Sequence, residues 1–178
     1  MSKKILFTLR PLNQTDIESI AHHANNRKIW EGVRDFFPFP YTEEDARSFV
    51  EYALSTEAEV IKAIAVKGNA VGVIGLHFKD DVMRFNCEIG YWIGVEFQGK
   101  GIVTQAIGQM VDIAFNHYNL LRIYAKVFSN NTSSCRVLEK NGFTLEASLK
   151  QSVVKDNKIL DLLIFSRLNA NYRRNNPT

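Results

Sequence analysis

Residues 83–104 constrain the fold more than any other stretch of the chain. Met83, Phe85, Cys87, Ile89, Tyr91 and Ile93 alternate with Arg84, Asn86, Glu88, Gly90 and Trp92, the period of a strand with two unlike faces. The strand ends near Val95 and gives way to Gln98-Gly99-Lys100-Gly101-Ile102-Val103-Thr104. After the loop the period lengthens, with Ala106, Ile107, Met110, Val111, Ala114 and Phe115 on one helical face. A strand, a glycine loop and an amphipathic helix in that order make either an anion-binding arrangement or a tight strand-to-helix turn. Glycine lets backbone approach a ligand, and the free N–H groups of a helix N-terminus favour negative charge. Spacing excludes two common phosphate loops: GxxxxGK[ST] is absent, and GxGxxG from Gly99 would need glycine where Thr104 stands.

The flanking sequence switches repeatedly between the two periods. Residues 5–9 read as a short strand ended by Arg10-Pro11, and Thr15-Asp16-Ile17-Glu18 reads as a capping box with Thr15 as N-cap. Ile17, Ile20, Ala21 and Ala24 then recur at helical spacing. Thr42 caps a second helix whose acidic first turn (Glu43, Glu44, Asp45) suits the positive end of the helix dipole. Between these helices, residues 31–40 carry Phe36, Phe37 and Phe39 among two prolines. That loop is either a hydrophobic cover on the core or a wall of an acceptor pocket. Strands at 60–66 and 71–78 meet at Gly68-Asn69. A strand at 121–128 precedes a helix at 132–141 closed by Gly142, and strands at 144–154 and 158–168 flank Asp156-Asn157. Hairpins mixed with helix-connected strands imply an α/β fold with one mixed, mainly antiparallel sheet. The expected organisation is one domain over residues 1–168 and a short tail at 169–178.

Composition narrows the function classes. At 178 residues the chain suits one domain. Its net charge of +3 is spread thinly, with Arg173-Arg174 the one notable basic pair, which argues against direct nucleic-acid binding. Apolar runs such as residues 162–165 fall far short of the roughly 20 needed to span a membrane. Met1-Ser2-Lys3-Lys4-Ile5 lacks the apolar stretch of a secretory signal. The expectation is a cytoplasmic protein without a membrane anchor. Cys87 and Cys135 have no CxxC partner, so neither a disulfide framework nor a zinc site follows. Neighbouring helix positions face apart, so His22 and His23 read as surface residues and no metal is expected.

Two ordered motifs carry a resemblance. Glu88-Ile89-Gly90-Tyr91-Trp92-Ile93 followed by Gln98-Gly99-Lys100-Gly101 is similar to the coenzyme motif of the GNAT N-acetyltransferases. Asn131-Thr132-Ser133-Ser134-Cys135-Arg136-Val137-Leu138-Glu139-Lys140-Asn141-Gly142-Phe143 resembles that family's second signature, in its RimJ/RimL-like form. The likeness runs from Phe7 to about Leu168. It implies a GNAT-like fold, acetyl-CoA as cosubstrate and an amine acceptor, with a homodimer as a common family arrangement. Gln98 and Gly101 occupy marked positions of the family loop, whereas Val103 departs from its usual small residue. Backbone amides of Gly99, Lys100, Gly101, Ile102, Val103 and Thr104 would hold the coenzyme pyrophosphate. Ile93 and Val95, on a strand that splays before the loop, would pair with the pantetheine arm, and one of their N–H groups would polarise the acetyl carbonyl. Asn131 would bond the same arm, or cap the helix that follows it.

The resemblance also implies a division of catalytic labour. Neutral amine at pH 7 costs about 1 kcal/mol for an N-terminus and about 4.6 kcal/mol for a lysine. A general base is therefore optional for the first acceptor and valuable for the second. Glu88 is the candidate base, on a strand whose apolar neighbours are expected to raise its pKa. Many family members place a tyrosine acid where this chain has Leu138; the resemblance to the RimJ/RimL-like branch implies instead the serine of Asn-x-x-Ser, Ser134 here, as the hydroxyl donor to the departing sulfur. Trp30 and Phe37 are candidate acceptor contacts, since the family binds its acceptor under the first two helices and the last hairpin. Three functions follow: acetylation of a peptide N-terminus, acetylation of a polyamine or aminoglycoside, or non-catalytic acyl-CoA binding.

Overall fold

The computed structural model describes residues 5–172; Met1-Ser2-Lys3-Lys4 and Arg173-Arg174 lie outside that range. Among the described residues, seven strands form one sheet: β1 (Thr8–Arg10), β2 (Glu59–Val66), β3 (Asn69–Phe78), β4 (Asn86–Ile93), β5 (Arg122–Phe128), β6 (Thr144–Lys155) and β7 (Lys158–Leu168). Their order is β1-β2-β3-β4-β5-β7-β6. Every neighbouring pair is antiparallel except β4–β5, which is parallel. Such a pair needs a crossover, here the helix α4 (Ile102–Asp112), prolonged by one π turn (Ile113–His117).

Strand alternation sends successive residues to opposite faces, and each face has its own core. Ile64, Ile74, Cys87, Ile89 and Ile93 pack with Ala106, Ile107 and Met110 of α4 and Leu138 of α5 (Thr132–Lys140). Ala63 and Val73 point the other way, to Ile20 and Ala24 of α1 (Ile17–Ala24) and Val50 of α3 (Glu43–Ser55). A short helix, α2 (Arg27–Trp30), follows α1.

Most expected elements are present, and the departures have local causes. β4 starts at Asn86, because Lys79 N–H donates to the Asn86 carbonyl (3.1 Å) and closes the hairpin there. Met83 ends a 3-10 turn, and Met83 and Phe85 are exposed, so the alternating pattern overshoots the strand. The first cap is Asn13, two residues before Thr15. Asn13 accepts from Thr15 N–H, and the buried Asp16 carboxylate accepts from Asn13 N–H, both at 2.9 Å. Arg10 grips the same carboxylate at 2.6 and 2.7 Å, which draws the box toward β1. The β2–β3 turn is Lys67-Gly68 (φ 50° and 88°), one residue before the expected pair, and Val66 faces Asn69. Two left-handed residues match the twist of a two-residue hairpin. The Thr42 cap and the Asp156-Asn157 turn form where expected, and Asp45 adds a reciprocal bond that makes the Thr42 cap a capping box.

Candidate active site

The site begins where two parallel strands part. β4 and β5 pair at Asn86↔Arg122, Cys87↔Ile123 and Glu88↔Tyr124, and no further. Beyond that point β4 stays with β3 as far as Ile93↔Gly72, and β5 stays with β7 as far as Phe128↔Leu162. Each strand follows its outer neighbour, so a wedge opens between them. A cavity of about 440 Å³ occupies it, walled by residues 89–93, 97–99, 101–104 and 125–127 and by the start of α5.

The glycine loop forms the end of this cleft. Gly99 (φ 69°) and Gly101 (φ 75°) are both left-handed, and Gly101 is the N-cap of α4 with no side-chain cap. A Cβ at Gly99 would meet nothing within 4 Å, and one at Gly101 only Gln105 Nε2 at 4.0 Å. Backbone conformation, not crowding within the chain, demands glycine there; an L-residue costs about 1–2 kcal/mol. The first backbone bond of α4 runs from Gln105 N–H to the Gly101 carbonyl (3.2 Å). The amides of Ile102, Val103 and Thr104 therefore lack intrahelical acceptors, and these residues line the cleft. Gln98 ties the loop to β4, its Nε2 donating to the Ile93 carbonyl at 3.3 Å. The arrangement fits a pyrophosphate with a thin arm threaded into the wedge.

Two predicted coenzyme residues stand apart from the rest. β4 ends at Ile93, and Val95 opens a 3-10 turn (Val95–Phe97) bordering a different cavity. Val95 is therefore not on the splayed strand. Lys100 is exposed, with Nζ 5.6 Å from the Phe97 ring centre, and is not among the cleft-lining residues.

The second signature sits across the wedge. Asn131 is the N-cap of α5: its Oδ1 accepts from Ser134 N–H and from Ser133 Oγ, both at 3.1 Å. Asn131 and Ser134 also line the cleft. Ser134 Oγ lies 2.7 Å from Tyr91 Oη, a hydrogen bond between α5 and β4. Burial, more than that bond, sets the Tyr91 phenol, pushed up to about 12. The phenol stays protonated at neutral pH and always has a proton to share. The alternation puts Tyr91 on the face of Ile89 and Ile93 but holds no sign that Ser134 arrives opposite.

Glu88 marks the vertex of the wedge. Its surroundings differ from the expected apolar ones. The carboxylate, 15% exposed, lies 3.3 Å from Lys126 Nζ and 3.6 Å from Lys79 Nζ. The Tyr124 ring carries both of these ammonium groups and the Arg122 guanidinium at 4.9–5.8 Å from its centre. Glu88 is not among the residues lining the cavity itself. Strand alternation could not reveal the lysines, because each reaches Glu88 from a neighbouring strand or its end.

Trp30 and Phe37 do not line the cleft. Phe37 packs against Tyr41 and Trp92, its ring centre 4.7 and 5.9 Å from theirs, in the core beneath α1 and α3. Trp30 helps hold a clasp: the Lys155 ammonium sits 3.6 Å from its ring centre and 2.6 Å from Asp35. Arg27 adds a bond to Asp156 at 2.7 Å. The segment after α1 is thereby fastened to the β6–β7 hairpin, above the cleft walls contributed by Ile29, Gly32 and Val33.

Comparison with known proteins fits this geometry. A family model described as an acetyltransferase (GNAT) domain matches residues 7–144. "Probable N-acetyltransferase YjcK" of Bacillus subtilis is 40% identical over 170 residues, covering 87% of this chain and 92% of that protein. The ribosomal-protein-serine acetyltransferase of Escherichia coli is 28% identical over 133 residues, 73% of this chain and 74% of that one. The spermidine N-acetyltransferase of Vibrio cholerae, solved with CoA and spermine, superposes with a TM-score of 0.79 at 25% identity, over 93% of this chain and 97% of its own. Among the described residues no helix is long and apolar enough to cross a membrane. With a family match over most of its length and a fold shared end to end with a CoA-bound member, the chain belongs to the GNAT family of acetyl-CoA-dependent N-acetyltransferases.

Proposed function

We propose that the acceptor of this acetyltransferase is a protein or peptide N-terminal α-amine. The observation that carries the reading is the ionic setting of Glu88. The one carboxylate at the wedge vertex is matched by Lys79 and Lys126. A polyamine, with several positive charges, would meet those ammonium groups on approach. An α-amine brings a single charge and needs only about 1 kcal/mol to shed its proton at pH 7. A base held as a paired carboxylate suffices for so small a task. The ribosomal-protein acetyltransferase relative supports this reading, and the spermidine acetyltransferase neighbour supports the small-amine alternative.

Each residue then has a task. Bound acetyl-CoA supplies an activated thioester, and the loop amides of residues 99–104 would hold its pyrophosphate. Ile93, at the free edge of the wedge, would offer backbone to the pantetheine arm beside Asn131. Glu88 receives the amine proton, directly or through water. Ser134 donates a hydrogen bond to the departing sulfur. Tyr91 donating to Ser134 Oγ would leave the serine proton free for that purpose.

Thiol release from acetyl-CoA, measured with pooled N-terminal peptides, polyamines and aminoglycosides, tests the reading. Release with peptides alone is the expected result; release with polyamines alone would replace it with the small-amine reading. Silence in every pool, with coenzyme still bound, would point to a binding module. Glu88→Gln should lower peptide turnover at pH 7 while leaving coenzyme affinity intact, with the loss shrinking as the pH rises past the α-amine pKa, and wild-type turnover across the whole pH range would remove Glu88 as the base.

A further inference from the structure

Outside the cleft, one group of side chains converges with no part in acetyl transfer. The last turn of α1 carries His22 and His23, whose rings meet edge to face with centres 4.9 Å apart. Glu96, in the turn that leads to the glycine loop, brings its carboxylate to 3.5 Å from His23 Nδ1. One ligating atom from each of His22, His23 and Glu96 lies within 4.8 Å of the other two. They border a second cavity of about 670 Å³, with Asn25, Asn26 and Glu43 on its wall.

His23 sets this group apart from a chance surface cluster. Its side chain is only 9% exposed, yet among the described residues its buried Nδ1 has no hydrogen-bond partner. Buried polar atoms are nearly always satisfied, so an orphaned ring nitrogen needs an explanation. The backbone leaves room for it: a Cβ at Gly94 would stand 2.9 Å from that nitrogen. The nitrogen faces a carboxylate and has a second imidazole beside it.

We propose that His22, His23 and Glu96 bind one divalent ion of the zinc class, tying the end of α1 to the turn that enters the coenzyme loop. Two imidazole nitrogens and one carboxylate oxygen match zinc, with solvent as the fourth ligand. Magnesium and calcium, which prefer all-oxygen shells, do not suit the set. Zinc bonds of about 2.0–2.2 Å require the donors to close in by about 1 Å. His22 and Glu96 are exposed and can swing inward around the fixed His23. The inference does not depend on the identity of the acceptor.

Calorimetric titration of untagged, metal-stripped protein with zinc chloride tests it. The expected result is one zinc ion per chain, with magnesium failing to compete. His22→Ala and Glu96→Ala alter only exposed side chains, so the fold should survive. Each should weaken zinc binding about tenfold or more, while His117→Ala, outside the cluster, leaves it unchanged. The site is overturned if the folded wild type takes up no zinc, or if the double variant His22→Ala/Glu96→Ala takes it up as the wild type does.

Discussion

The two sides of the cleft are built by different means. The side proposed for the coenzyme is backbone: a wedge between strands that follow different neighbours, two left-handed glycines and the open amides of α4. Side chains there mainly have to stay out of the way. The roof on the other side is a set of side-chain bonds, Lys155 on Trp30 and Asp35, and Arg27 on Asp156. A backbone site persists under most substitutions and fails where a Cβ is intolerable. A clasp of side chains can be rebuilt residue by residue, which suits a fold that keeps one cosubstrate and changes its acceptor.

Substitutions can break or sharpen this contrast. Gly101→Val should act most strongly. A β-branched residue at φ 75° costs about 2 kcal/mol or more and puts a side chain where an anion belongs. Coenzyme affinity should fall about thirtyfold or more by calorimetry, and an unchanged affinity would remove the loop from the site. Ser134→Ala comes next. It deletes the partner of Tyr91 and the proposed donor to sulfur, so kcat should fall about tenfold, as for a lost hydrogen bond of about 1–2 kcal/mol. Coenzyme affinity should hold, and an equal loss in both would make Ser134 a structural residue only.

Asp35→Ala tests the roof. The aspartate is mostly exposed, so its bond to Lys155 is discounted to about 1 kcal/mol. Acceptor KM should rise about fivefold, with coenzyme affinity unaffected; a shift in coenzyme affinity instead would mean that the two sides are not separable. Lys100→Ala should matter least. Its ammonium lies in solvent over Phe97, so coenzyme affinity should change less than about threefold and the difference should fade in salt. A tenfold loss would show that charge, not backbone, dominates the coenzyme side.

The coenzyme side was the more legible in the sequence for the same reason. Glycine at a left-handed position is a local signal, so Gly99 and Gly101 could be read directly, and so could Asn131 as a cap. The roof was readable only in outline. Residues 31–40 read either as a cover on the core or as a wall of an acceptor pocket; Phe37 packs against the core, and Trp30 meets a lysine 125 positions away in the chain, Lys155. Val95 illustrates the limit at an element end, where one 3-10 turn moves a residue from one cavity to another.

Taken alone, the sequence determined the elements, because their causes lie within a few residues. The alternation through β4, the Thr42 cap, the turn at Asp156-Asn157 and the glycines before α4 are matters of period, capping and backbone sterics. The tertiary structure decided who meets whom. Tyr91 meets Ser134 across 43 positions and Lys155 meets Asp35 across 120. Lys79 and Lys126 close on Glu88, and Glu96 reaches His23. Those meetings depend on strand order and register, and an apolar pattern specifies which face is buried without specifying which residue stands opposite.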